Sequence, residues 1–244
     1  MPSRTIFIIA IAATLLAMAN VSLATTTTTP AAGGPVLVFG GTSGTGLGAV
    51  QALRARKIPV TVFARPTSDL SGLKSLGVQI VTGDALDATA VQAAFASGKF
   101  VAVISSLGGR RGEPRPDLTG NKNITAAAKA AGVRRVVQVS SMGTGKSRQK
   151  PAPGDHFMAE VLYLKTLAED DLIASGLDYT IIRPGGLRDG PPTGTGILTP
   201  EERLGTIDRN ELGRLVAAAL YDDTTVGKVL SALDPTLPPP PGRE

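Results

Sequence analysis

The 244-residue chain contains no cysteine and a single histidine, and aromatic residues make up only 4% of it. Without thiols there can be no disulfide, no thiolate zinc site and no cysteine nucleophile. The one histidine, His156, has no cysteine or histidine partners for a metal of the usual kind and reads as a solvated loop residue. The basic residues are scattered instead of forming a face with stacking aromatics, so a net charge of +5 predicts no nucleic-acid surface. Long apolar runs are also scarce. Residues 6–19 form a run of about 14, interrupted only by Thr14, where a bilayer span needs about 20.

Arg4 before that run and Ser22-Leu23-Ala24 after it give residues 1–24 the form of a cleaved secretory signal, with an uncleaved N-terminal anchor as the alternative. The chain is therefore expected to be exported, to the periplasm or beyond, or to be held at a membrane through this segment alone. Residues 25–34, a threonine run followed by Pro, Ala and Gly, have nothing to bury and read as a disordered spacer. What remains is long enough for one domain with its own core, expected over 35–233 and followed by a proline-rich tail at 234–244.

Within that domain, apolar runs recur at 36–39, 60–64, 78–81, 100–104, 136–139 and 179–182. They are continuous instead of alternating, as in strands covered on both faces of a parallel sheet. Helical stretches fall between them at 46–56, 69–76, 87–96, 118–131 and 157–174, with Gly77, Gly132 and Gly176 placed as left-handed caps. Strand–helix alternation of this kind builds βαβ units with right-handed crossovers. The predicted fold is α/β, a Rossmann-type doubly wound parallel sheet in a single domain. Residues 185–200 carry little periodic signal. A last helix is expected over 208–221 with Asp208 as its N-cap, and a final strand over 226–230.

The first strand runs straight into a glycine-dense turn, "VLVFGGTSGTGLGAV". Glycine loses the most conformational entropy on folding, so such density needs a reason. Gly40 lets the chain turn off the strand, Gly44 lets backbone amides approach a pyrophosphate, and Gly46 lets the helix pack close to the sheet. The helix N-terminus then offers free amides and partial positive charge to phosphates. Strand, turn and helix in this order are the context that a dinucleotide motif requires. The contacts expected from the turn are Gly40, Thr42, Ser43, Gly44, Thr45 and Gly46, with Asp84, Ala85 and Ser105 at later strand ends. Asp84 has two readings, an acceptor for an adenine amino group or a cap for the following helix. Arg65 ends the second strand, where NAD sites commonly carry an acid; a guanidinium there suits a 2′-phosphate, so NADP (NADPH over NADH) is the expected cofactor.

With "GDALD", "AAAKAAGVRRVVQVSSMG" and "LAEDDLIASGLDYTIIRPGGL" added to the glycine turn, residues 35–233 resemble the atypical short-chain dehydrogenase/reductases. Among these they are similar to the NAD(P)H-binding, NmrA-like members and to the flavin reductase/biliverdin-IXβ reductase type. The resemblance implies a ligand site at the carboxyl ends of the strands. It also implies roles for Ser140, Ser141 and Lys165: Ser141 on the substrate side, Ser140 beside it, and Lys165 on the nicotinamide ribose. Tyrosine-using members of the family carry Tyr-x-x-x-Lys, with the lysine lowering the pKa of a phenol that donates a proton. Here Val161 stands four residues before Lys165, and Tyr163, two before, lies about 200° around a helix from it. The usual acid is thus absent, and Lys165 has an exposed pairing with Glu169 as its plainer alternative. The expected function is NADPH-dependent reduction of a flavin-, quinone- or tetrapyrrole-like acceptor that can take its proton from solvent. The alternative is a non-catalytic NAD(P)-binding sensor or assembly factor.

Overall fold

The computed structural model describes residues 33–109, 111–149 and 151–240. The signal or anchor reading of residues 1–24 lies outside them. Strand β1 (Val36–Phe39) leads through the glycine turn to helix α1 (Gly44–Ala55), followed by β2 (Val60–Ala64), β3 (Gln79–Thr82) and α2 (Ala88–Ala96). Then come β4 (Ala102–Ser105), α3 (Thr119–Ala130), β5 (Arg135–Val139), α4 (His156–Ala174) and β6 (Asp178–Pro184). The last part holds β7 (Gly186–Arg188), β8 (Ile197–Thr199), β9 (Thr206–Asp208), α5 (Arg209–Ala219) and β10 (Lys228–Leu233).

Eight strands form one sheet in the order β3-β2-β1-β4-β5-β6-β10-β8, all parallel except β8, which runs antiparallel to β10. Strands β7 and β9 pair separately. Successive residues of a strand point to opposite faces, and the core divides accordingly. Val36 and Val38 pack with Val50 and Leu53 of α1 and Leu212 and Val216 of α5. Leu37 and Phe39 pack on the other face with Phe95 of α2, Ile124 of α3 and Leu172 of α4. This three-layer sandwich is why the central strands read as unbroken apolar runs. Among the described residues no helix is long and apolar enough to cross a membrane.

Several sequence expectations change. The helix over 69–76 shrinks to a 3₁₀ turn at Ser71–Leu73. Asp69 accepts from the amide and hydroxyl of Ser71, a local bond that competes with helix. Strand β3 is largely exposed instead of covered on both faces, because among the described residues it is the sheet edge, paired with β2 alone. Asp208 does occupy the N-cap position of α5, but its side chain makes no cap bond; the Arg188 guanidinium takes it, at 2.7 Å. The stretch at 185–200, without periodic signal, supplies β7 and β8, and the final strand runs later than expected, to Leu233.

Candidate functional site

The strand order reverses between β1 and β4, and in open α/β sheets ligands bind outside the carboxyl ends of the strands at such a point. Phe39 pairs with Ser105 at this point, and the Phe39 carbonyl still accepts from the Ser106 amide, at 3.0 Å. Just beyond, Gly40 has φ of +75°, and a Cβ on it would lie 2.4 Å from the Ser106 carbonyl oxygen. A Cβ on Gly46 would lie 2.0 Å from the carbonyl oxygen of Gly40 itself. Both glycines are thus demanded by backbone approaching backbone. Gly44 differs: its φ is +52°, yet a Cβ there would meet only the Arg209 side chain, at 3.2 Å. Its reason is conformation, not crowding.

Ser43 is the exposed N-cap of α1, extended in backbone and making no cap bond with its side chain. Its hydroxyl and the first amides of α1, which lack intrahelical partners by helix geometry, are available to an anion. Thr42 is half-buried beside it, and Thr45 is buried in the first turn. These residues form a cradle that a side chain would fill, and its donors fit a pyrophosphate.

The remaining expected residues divide into two groups. Arg65 directly follows β2, and its guanidinium pairs with Glu113 at 3.0 Å. That carboxylate comes from the loop after β4, and both side chains remain well exposed. Asp84 is exposed and accepts from the Leu86 amide at 2.9 Å in a local turn; the following helix is capped instead by Asp87. Ala85 is buried, with its carbonyl held by Asn123 at 2.8 Å. Ser105 is buried and donates to Asn121, at 2.6 Å. Ser140 is buried as well, and its hydroxyl is taken by Glu169, which also binds Thr144 and Arg183. Ser141 is half-buried, with its hydroxyl on the Met142 carbonyl at 3.1 Å.

Lys165 is turned inward. Its side chain is only 10% exposed, and its ammonium lies 3.0 Å from the Leu107 carbonyl and 3.2 Å from the fully buried carboxylate of Asp117. It makes no pair with Glu169, which faces the β6 arginine. Tyr163, on the same helix, is 63% exposed. The structure therefore brings Lys165 to the loop that leaves β4 at the switch point and leaves the phenol in solvent. Tyr163→Phe is accordingly expected to leave nucleotide binding within about twofold of the parent, under ~0.5 kcal/mol. Lys165→Ala is expected to weaken it. Parallel titrations with the reduced nucleotide check both, and a hundredfold loss in Tyr163→Phe with the fold intact would reverse the assignment.

Sequence reasoning missed the loop between β4 and α3. Asp117 joins Lys165, Arg115 (3.3 Å) and the Gly109 amide (3.2 Å). Its place directly before a helix suggests a cap, and nothing in "GEPRPDL" announces a partner 48 residues away. His156 is the exposed first residue of α4. Among the described residues no group of histidines and acids could hold a metal ion.

Comparison with known proteins agrees with this geometry. A family model described as NAD(P)H-binding matches residues 40–223. An uncharacterized chloroplast protein of Arabidopsis thaliana is 30% identical over 209 residues, 80% of this chain and 75% of that protein. ChuY, an anaerobilin reductase from Escherichia coli O157:H7, superposes with a TM-score of 0.75 at 32% identity, covering 84% of this chain and all of its own. A putative NAD-dependent epimerase/dehydratase from Bacillus halodurans gives a TM-score of 0.73 at 28% identity, over 84% of this chain and 96% of that one. With the glycine cradle at the switch point and a family match that begins at Gly40, the chain belongs to the NAD(P)H-binding family of atypical short-chain dehydrogenase/reductases.

Proposed function

We propose that the protein is an NADPH-dependent reductase of a planar, conjugated acceptor of the flavin, quinone or tetrapyrrole kind. The observation that carries this reading is the pairing of a complete glycine cradle with a buried Lys165 and a helix face that offers no phenol. A reduced nicotinamide supplies the hydride when it is bound. Of the chain's own residues, Gly40, Ser43 and the α1 amides would hold the pyrophosphate, and Lys165 would orient the ribose on the nicotinamide side. A ketone would need an acid at the reacting oxygen, whereas a conjugated acceptor can take its proton from water. The likeness to a protein that is an anaerobilin reductase supports the tetrapyrrole-like member of this class.

NADPH preference rests on Arg65, because a guanidinium suits a 2′-phosphate bidentately and no acid ends β2. Arg65→Ala is expected to weaken NADPH binding by about 1.5–3 kcal/mol, the scale of a charged hydrogen bond, and to leave NADH nearly unchanged. Equal loss for both nucleotides would refute the preference.

The reductase reading is tested by following NADPH oxidation with a linear tetrapyrrole, FMN, a quinone and dichloroindophenol. Turnover with at least one of them is expected. Tight nucleotide binding with no turnover on any would favour the second reading, a non-catalytic NAD(P)-binding sensor. One observation does favour it: the Lys165 ammonium is already held by Asp117 and the Leu107 carbonyl.

A further inference from the structure

The loop joining β4 to α3 holds a second feature that the dinucleotide does not account for. The Arg115 side chain is 9% exposed, and its Nη2 is buried without a hydrogen-bond partner. Its other nitrogens are engaged: Nη1 lies 3.3 Å from Asp117, and Nε 3.7 Å from Glu160 on α4. The guanidinium carbon sits 4.2 Å from the ring centroid of Phe157, and that of Arg111 lies 4.0 Å from the same ring.

Among the described residues the charges around this point do not balance. Lys165, Arg115 and Arg111 bring three positive charges. Asp117, shared between Lys165 and Arg115, and the largely exposed Glu160 bring two negative ones. A buried guanidinium that shares its carboxylate with a lysine is incompletely compensated, and a buried donor without an acceptor is unfavourable. An oxyanion at Nη2 would remedy both. The place also fits the chemistry, because Lys165 bonds Leu107, the neighbour of the Ser106 carbonyl that crowds Gly40. Arg115 thus belongs to the loop that leaves the switch point, and it lies with Arg111 against the Phe157 ring of α4.

We propose that Arg115 anchors an oxyanion, a carboxylate or phosphate substituent, of the planar acceptor. Asp117 and Phe157 hold the guanidinium in place, and Arg111 adds to the local positive potential. This deepens the reading of an acceptor-reducing protein and rests on it, since a sensor would have no acceptor to anchor. Lys165 would face the cofactor, and Arg115 the molecule to be reduced.

FMN and riboflavin test it, because they share one reactive ring and differ by a phosphate. The full chain is saturated with NADP⁺ and titrated with each flavin, read by quenching of flavin fluorescence, and NADPH oxidation is followed in parallel. FMN is expected to bind at least about tenfold more tightly, the scale of one charge-assisted hydrogen bond. In Arg115→Met the two affinities should converge to within about threefold, while NADP⁺ affinity holds within about twofold. Should that variant not fold, Arg115→Lys, which keeps a charge on Asp117 but loses the planar fork, gives the same comparison with a smaller convergence. Equal affinities in the parent protein, or no binding of either flavin, would overturn the assignment. So would an unchanged gap in Arg115→Met, which would mean that water satisfies Nη2. A loss of NADP⁺ affinity as large as the loss for FMN would assign the guanidinium to the dinucleotide instead. A flavin gap that depends on Arg115 but comes without NADPH oxidation would leave the anchor standing and remove the reductase reading. Reduction of both flavins with equal affinity would do the reverse.

Discussion

Replacing Arg135 by methionine is expected to destabilise the protein by about 3–5 kcal/mol, with the midpoint of thermal unfolding falling by about 10 °C or more. The side chain is 1% exposed and lies in the middle of the sheet, at the start of β5. All three of its nitrogens donate. Nε binds the Leu220 carbonyl at 3.2 Å, Nη1 the Asp178 carbonyl at 2.9 Å, and Nη2 the Ala219 carbonyl and the hydroxyls of Thr180 and Thr225 at 2.5–3.0 Å. Two of these carbonyls close the end of α5, where the helix dipole favours a cation.

Burial pulls the guanidinium down to about 10, against the charges of Asp178, Asp223 and Asp222, which favour its protonated form. It therefore remains a cation at neutral pH. Methionine would fill similar space but leave several buried acceptors without donors, and each of these costs about 1–3 kcal/mol. Lysine keeps the charge but has no fork to span β6 and the end of α5, so Arg135→Lys should fall between the two. Urea and thermal unfolding of the three proteins measure this. A loss under about 1 kcal/mol in Arg135→Met would show that the network relaxes around its absence.

The second large effect is on ligand binding. Gly44→Val is expected to abolish dinucleotide binding, by a hundredfold or more, while the domain stays folded. Valine at φ of +52° is strained by about 1–3 kcal/mol. The first turn of α1 would give way locally, taking with it the amides that face the pyrophosphate. No backbone stands in the way of the new Cβ, so the core under α1 is spared. Gly46→Val serves as the contrast: its Cβ would sit 2.0 Å from the Gly40 carbonyl oxygen and must push the helix off the turn, so stability should fall along with binding. Circular dichroism with nucleotide titration separates the two variants. Normal binding by Gly44→Val would mean that the turn is only structural.

Much of the site was legible in the chain because it is local. The glycine turn needs one strand, one turn and one helix, all within residues 36–55, and the chemistry of glycine is read directly from its position. The opposition of Lys165 and Tyr163 follows from helical geometry alone, and the structure buries the first and exposes the second. The partners were not legible. Arg65 and Glu113 are 48 residues apart, and Lys165 and the Leu107 carbonyl 58. No spacing rule connects them, since loops meet there only because β1, β2 and β4 lie side by side. Ser140 shows the same limit from the other side. It directly follows β5, yet Glu169, brought over it by α4, claims its hydroxyl.

By itself the sequence determined the α/β class, the strands through β6 with all but one of the helices between them, and the glycine turn. These follow from hydrophobic period and from glycine's conformational range, both properties of neighbouring residues. Tertiary structure alone decided the rest. Strands β7, β8 and β9 have three residues each, too few to show a period, and exist because β7 and β9 pair with each other and β8 pairs with β10. It also decided that Asp208 turns to Arg188, and that Asp117 stands between Lys165 and Arg115. So too with Arg135, which reads as one more charge in "GVRRVVQV" until β6 and the end of α5 close over it. A buried charge is defined by what surrounds it, and those surroundings come from segments up to 90 residues away along the chain.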